Sequence, residues 1–259
     1  MDKTIEILKE KYSSYMVINN TNDNPIYFIG DLHGDLKAFN IIMNIISVDK
    51  NSIIVVLGDV IDRGKHSFAI LQKIFSMINE GKEVYYIRGN HESEATLESF
   101  KLYENVSEKE FEQIQSIFNL LPYAVFLQRE RIFATHAGFT NNTIFHKFSN
   151  YKYLQMDNSA LTKDEHMILW TDINENYTGY ITSDPKREGG YSFGIAFIDY
   201  IFKLNPQVSF IIRGHSHKNK SYDNKIITLV SSFLYGKTID IVKYEKNNIS
   251  LKEIRLKHS

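Results

Sequence analysis

The sequence predicts an α/β fold of two packed mixed β-sheets, a β-sandwich flanked by helices. Three observations predict it. Runs with nothing polar in them, such as Ile53-Ile54-Val55-Val56-Leu57, read as strands buried on both faces. In the first half such strands alternate with one-sided helices, a pattern that gives parallel neighbours through right-handed crossovers. After residue 122 the pattern turns β-rich, which asks for a second sheet packed against the first.

The elements follow in order. Residues 1–25 read as a short helix with Ile5, Leu8 and Tyr12 on one face, then a polar loop from Asn19 to Asn24. Ile26 to Ile29 is the first strand. Leu36, Phe39, Met43 and Ile46, spaced 3, 4 and 3, give a helix with Asp35 at its N-cap. The strand from Ile53 precedes a helix carrying Phe68, Leu71, Phe75 and Ile78, stopped at Asn79-Glu80-Gly81. Val84 to Ile87 is the third strand. Residues 93–121 read as helical with Phe111, Ile114, Phe118 and Leu121 on one face, up to Pro122. Tyr123 to Leu127 and Ile132 to Thr135 form a hairpin. Residues 139–185 carry little periodicity, and Asn174 to Glu188 reads as a long loop near a site. Phe193, Phe197, Tyr200 and Leu204 mark another helix face. Val208 to Ile212, Lys225 to Val230, Thr238 to Tyr244 and Ile249 to Ile254 are the last strands.

Composition sets bounds. With 259 residues, four prolines, 43% hydrophobic and 24% charged residues, residues 1–259 are expected to form one domain with a large core. Cysteine is absent, which excludes disulfides, cysteine–zinc sites and a thiol nucleophile. A net charge of −1 gives no basic footprint for nucleic acid or membrane as partners. No signal peptide or membrane span is legible, so the expected location is cytoplasmic.

The strand ends carry the chemistry. Five apolar runs stop at glycine beside Asp, Asn, His or Arg: GDLHG at 30–34, GDVIDRG at 58–64, RGNHE at 88–92, His136-Ala137-Gly138 and RGHSH at 213–217. Ligands of open α/β sheets sit outside the carboxyl ends of strands. Convergence of these ends would gather Asp31, His33, Asp59, Asn90, His136 and His215 around one pocket. Mixed Asp, Asn and His donors suit divalent manganese, iron or zinc, and six donors fit two metals sharing a carboxylate. Taken alone, GDVIDRG reads equally well as a surface turn. His217 reads as a surface position or one behind the ligands, and His66, His146, His166 and His258 as surface positions. Arg88 and Arg213 read as structural ion-pair partners, with substrate contact as the alternative.

GDLHG, GDVIDRG and GNHE, in this order, resemble the three signature motifs of the PPP-type metallophosphoesterases, a family that includes serine/threonine protein phosphatases and diadenosine-tetraphosphate hydrolases. Leu121-Pro122-Tyr123-Ala124, Leu169-Trp170-Thr171-Asp172, REGGYSFG at 187–194 and Ser231 to Tyr235 resemble further family segments. The likeness covers roughly residues 25–245, in a compact, bacterial-like form. It implies the calcineurin-like architecture and two divalent metals, manganese first, with iron or zinc accepted. Asp31 and His33 would bind the first, Asp59 both, and Asn90, His136 and His215 the second. It further implies that Arg63, Arg187 and Asn90 hold phosphate, that His91 protonates the leaving group, that Asp62 orients His91, and that Tyr235 lies near the phosphate. The implied reaction is phosphomonoester hydrolysis by a water activated between the metals, on phosphoserine or phosphothreonine in a phosphoprotein substrate. Hydrolysis of dinucleoside polyphosphates is the alternative, and a non-catalytic phosphoprotein-binding module a third reading. Three departures bear on substrate: Ala137 where eukaryotic protein phosphatases have glycine, no family pattern over 140–165, and Ser231-Ser232-Phe233-Leu234 where proline and asparagine are usual.

Overall fold

The computed structural model describes residues 1–93, 100–101, 104, 106–138, 168–183 and 191–255. Its centre is a pair of sheets whose facing surfaces are apolar. In the five-stranded sheet, β2 (Ile26–Ile29), β3 (Ile53–Val56) and β4 (Val84–Tyr86) run parallel. β13 (Thr238–Glu245) joins β2 antiparallel, and β14 (Asn248–Arg255) closes that edge. In the six-stranded sheet, β1 (Tyr15–Ile18) lies beside β5 (Ala124–Leu127). β6 (Ile132–Thr135), β10 (Phe210–Arg213), β12 (Ile226–Thr228) and β11 (Lys220–Tyr222) follow in that order.

Strand alternation explains the apolar runs. Ile26, Phe28, Val55 and Leu57 point inward to meet Val125, Leu127, Ile132, Ala134 and Ile212 of the other sheet. Tyr27, Ile29, Ile54 and Val56 point outward, under α1 (Asp2–Lys11), α2 (Leu36–Ile46), α3 (Ser67–Asn79) and α4 (Glu108–Leu120). A strand covered on both faces has no position for a polar side chain. Each large side chain so buried contributes about 2 kcal/mol. On the far side of the six-stranded sheet, α5 (Ile195–Leu204) packs Phe197, Ile198 and Ile201 against Phe133 and Ile211.

Several expectations need correction. Tyr15–Ile18 is a strand within the stretch read as helix and polar loop; its apolar run Tyr15-Met16-Val17-Ile18 was a short strand signal, and its parallel partner β5 lies more than a hundred residues away. Residues 93–121 are not one helix. Ser107 starts α4 with a capping box: its hydroxyl accepts from Glu110 N while Glu110 accepts from Ser107 N. That S-x-x-E signature was legible. Asn174–Glu188 is not all loop, because β8 (Ile181–Ser183) pairs with β9 (Tyr191–Phe193), which pairs with β7 (Asp172–Ile173) in a third, small sheet. Phe193 belongs to β9, not to α5, and Tyr200 and Leu204 are exposed while Ile198 and Ile201 are buried, so the buried face of α5 is rotated from the expected one. β11 was not anticipated. Residues 140–165 and His146, His166 and His258 lie outside the described residues, and His66 is exposed. No helix among the described residues is long and apolar enough to cross a membrane.

Candidate active site

The C-terminal ends of β2, β3, β4, β6 and β10 meet at one edge of the sandwich and deliver Asp31, Asp59, Asn90, His136 and His215. Backbone bonds lock the loops together. Leu32 and His33 donate to the Asp59 carbonyl at 3.0 and 2.9 Å, Gly34 N to Val60 O, and Gly64 N to His33 O. His91 N donates to Asp59 Oδ1 at 3.0 Å and His215 N to Asp31 Oδ1 at 2.9 Å. These approaches need small residues: a Cβ on Gly89 would lie 2.3 Å from Asp59 Oδ1. His33, Asp59, Asp62, Arg63, His215 and His217 all have positive φ, between 45° and 72°. Such local strain persists only where surrounding bonds over-determine it, and it concentrates at functional sites.

The surface-turn reading of GDVIDRG fails on burial: Asp59 is 1% exposed, and Asp31, His33 and His136 are fully buried. Two donor groups share Asp59. In one, His33 Nε2 lies 3.5 Å from Asp59 Oδ2 and 3.3 Å from His217 Nε2, which lies 3.6 Å from Asp31 Oδ2. In the other, His136 Nε2 lies 3.5 Å from Asp59 Oδ1, 3.2 Å from His215 Nδ1 and 2.9 Å from Asn90 Oδ1. His33 Nδ1 meets the Ile61 carbonyl and His136 Nδ1 the Leu57 carbonyl, both at 2.8 Å. A carbonyl only accepts, so Nδ1 carries the ring hydrogen and each Nε2 turns a bare lone pair toward the cluster.

Electrostatics agree. Burial pushes the His136 pKa down to about 3 and lowers that of His33 well below the usual range, helped by the His91 and Arg63 charges, so both rings are neutral. Burial raises Asp59 to about 7, and burial with the Asp59 charge raises Asp31 well above the usual carboxylate range. Asp31 Oδ2 and Asp59 Oδ2 are buried and accept no hydrogen bond among the described residues. Buried oxygens without donors, facing lone-pair nitrogens, form a site short of positive charge, which divalent cations would supply.

Beside this cluster stands a third group. His91 Nδ1 lies 2.6 Å from Asp62 Oδ2. Burial disfavours its cationic form, but the Asp62 bond and the Asp59, Asp62 and Glu92 charges outweigh burial and raise its pKa. Arg63 is exposed, with Nη2 3.4 Å from His91 Nε2 and Nη1 donating to Tyr235 Oη at 2.7 Å. Ser231 staples the Tyr235 loop down by accepting from Gly30 N and donating to Asp240 O. Arg187 lies outside the described residues.

The structure thus gathers every described candidate, and it adds two residues. His217 is a member of the donor cluster rather than a surface position, with its ring stacked on Tyr235 at 4.3 Å. Its sequence signal was the two-residue spacing from His215 just past a strand end. Glu92, 1% exposed, accepts from Asp59 N, Val60 N, Gly89 N and Tyr86 Oη. Arg88 and Arg213 are buried structural residues: Arg88 donates to Phe118 O and Tyr123 Oη, Arg213 to Thr171 O and to Asp172 at 3.3 Å.

A family profile described as calcineurin-like phosphoesterase matches residues 24–219, more than half of the chain. The chain belongs to the calcineurin-like phosphoesterase family. Among calcineurin-like relatives, a protein of Encephalitozoon cuniculi named "Probable serine/threonine-protein phosphatase" is 26% identical over 252 residues, covering 88% of this chain and 52% of that protein. A protein phosphatase 2A catalytic subunit of Dictyostelium discoideum is 25% identical over 248 residues, covering 89% of this chain and 77% of that one. The chain therefore spans about half of the first relative's length and over two thirds of the second's. A solved serine/threonine phosphatase from Saccharomyces cerevisiae, described as similar to human phosphatase PP5, superposes with a TM-score of 0.78 at 18% identity. That match covers 100% of this chain and 90% of that one, and it fixes the calcineurin-like fold.

Proposed function

We propose that this calcineurin-like phosphoesterase is a divalent-metal-dependent phosphomonoesterase that removes phosphate from phosphoserine and phosphothreonine in proteins. The observation that carries the reading is the His91–Asp62 pair, 2.6 Å apart, set with Arg63 at the lip of a donor cluster in two parts sharing Asp59. Two ions, manganese by preference, fit these donors: one with Asp31, His33, Asp59 and His217, the other with Asp59, Asn90, His136 and His215. Bound there, such ions supply charge to a phosphate dianion and acidity to water.

The chain's own residues do the rest. His91 holds a proton at Nε2, because Asp62 engages Nδ1 and raises the ring's proton affinity. That proton passes to the departing alkoxide oxygen. Arg63 presents a planar fork to phosphate oxygens, held by Tyr235 Oη. Asn90 turns Oδ1 to the two imidazoles, leaving its amide nitrogen for phosphate. Arg187 completes the phosphate grip in this proposal. No phosphoenzyme is needed, so no Ser or Cys nucleophile is required. The names of the relatives support a phosphoprotein substrate.

The test is turnover by metal-stripped protein, with and without Mn²⁺, on a phosphothreonine peptide and on diadenosine tetraphosphate in parallel. Metal-dependent phosphate release from the peptide is expected. Cleavage of the dinucleotide alone would replace the proposal with nucleotide hydrolysis, and no turnover with metal bound would replace it with phosphoprotein binding.

A further inference from the structure

A groove of about 820 Å³ opens beside the site, between the start of α2, the Arg63 loop and the turn at Phe233–Tyr235. Arg63 is its shared wall: the same side chain lies 3.4 Å from His91 and lines the groove. Its apolar lining comes from Leu36, Ile41, Phe233 and Leu234, the last 52% exposed. Lys37 and Lys65 also line it, both exposed and without an ion pair among the described residues. The carboxylate lining the groove, Asp35, is already engaged. Its Oδ1 accepts from Ala38 N at 3.0 Å, and its Oδ2 accepts from Phe233 N at 2.7 Å and from the Ser232 hydroxyl at 3.2 Å. The groove therefore combines apolar side chains with cationic ones that no neighbouring carboxylate neutralises, on a chain whose net charge is −1.

We propose that this groove binds the polypeptide adjoining the phosphoresidue and selects acidic side chains there. The inference rests on the phosphoprotein reading and names its substrate class. A phosphoryl group held by Arg63 leaves the flanking chain one arginine side chain from the groove mouth. An extended chain advances about 3.3 Å per residue, so the selected position falls within roughly three residues of the phosphoresidue, on one side of it. Leu234 and Phe233 take an apolar neighbour, while Lys37 and Lys65 take the carboxylates. Lysine at the same position would face like charge.

The experiment compares kcat/KM on three phosphothreonine peptides, with two glutamates after the phosphoresidue, two before it, or lysines on both sides. The proteins are the wild type and the Lys37→Ala, Lys65→Ala double variant, with Mn²⁺ and with p-nitrophenyl phosphate as the reference substrate. One acidic peptide should exceed the lysine peptide by roughly two- to thirty-fold, the range for two exposed ion pairs, mostly in KM. The preference should fall to about one in the double variant and shrink as salt rises. Equal hydrolysis of all three peptides by the wild type would overturn the groove assignment and leave the phosphatase reading standing. A preference that survives in the double variant would overturn it too. If p-nitrophenyl phosphate and diadenosine tetraphosphate are cleaved but no peptide is, both readings fall.

Discussion

Glu92 offers the sharpest test of how the loops are held. Its carboxylate is 1% exposed and accepts four hydrogen bonds: from Asp59 N and Gly89 N at 2.8 Å on Oε2, and from Val60 N at 2.9 Å and Tyr86 Oη at 2.8 Å on Oε1. Two of these donors, Asp59 N and Gly89 N, flank the proposed bridging carboxylate and the loop bearing Asn90. Glu92→Gln keeps the shape. Its oxygen can serve one donor pair, and its NH₂ then faces the other. If that pair is Val60 N and Tyr86 Oη, the tyrosine can rotate to accept, and one backbone N–H is left without an acceptor. A buried donor so stranded costs about 1–3 kcal/mol. Glu92→Ala strands three backbone N–H groups and the Tyr86 hydroxyl and leaves a void, on the order of 5 kcal/mol, comparable to the whole stability of many domains. The assay is urea denaturation of the Gln variant with hydrogen exchange read on peptides spanning 57–60 and 88–92. A loss of about 2 kcal/mol is expected, with faster exchange confined to those two peptides. Wild-type stability together with wild-type protection at Asp59, Val60 and Gly89 would refute the idea that this carboxylate clamps the site.

Other perturbations follow from the same geometry. Asp62→Asn removes the bond that raises His91, so the alkaline limb of kcat against pH should move to lower pH; an unmoved limb would show that His91 is not the acid. The same pair stabilises the fold fully below the ordinary imidazole value of 6.5 and ceases to do so as pH rises through the raised value, so the stability gap between wild type and Asp62→Asn should be wider at pH 6 than at pH 9. His217→Ala should weaken Mn²⁺ binding, measured by calorimetry, by at least about tenfold, and equal affinity would remove His217 from the donor set. Chelation should lower the unfolding midpoint and added Mn²⁺ should restore it, because Asp31 and Asp59 regain a counter-charge. Gly89→Ala should displace Asp59 and abolish metal-dependent turnover, since the new Cβ would fall 2.3 Å from Asp59 Oδ1.

Much of the site was legible because its chemistry is local. A strand that ends in Gly-Asp-x-His or Gly-Asn-His-Glu announces its donors in consecutive residues, and burial on both faces leaves the preceding run wholly apolar. Asp35 as the α2 cap was legible for the same reason, its side chain reaching Ala38 N three residues on. Harder to read were features whose partners lie far along the chain. β1 becomes a strand because β5 lies beside it. The buried face of α5 is set by the sheet beneath it, which takes Ile198 and Ile201 and leaves Tyr200 and Leu204 outside.

The sequence by itself determined the strand–loop–helix order from β2 to β4, the identity of the charged loops and the kind of ion they suit, because each depends on residues within a few positions of one another. Tertiary structure decided how those groups stand around a common carboxylate. Asp59 stands between two donor groups because β2, β3, β6 and β10 end at one edge. His217 enters the cluster because the loop after β10 folds back beneath Tyr235. Lys37 and Lys65 meet in one groove because the Asp59 loop is bonded, backbone to backbone, to the loop that starts α2. The meetings of Asp59 with His136 and of Asp31 with His217 are set by how the two sheets pack, a relation between residues far apart in the chain that no local pattern encodes.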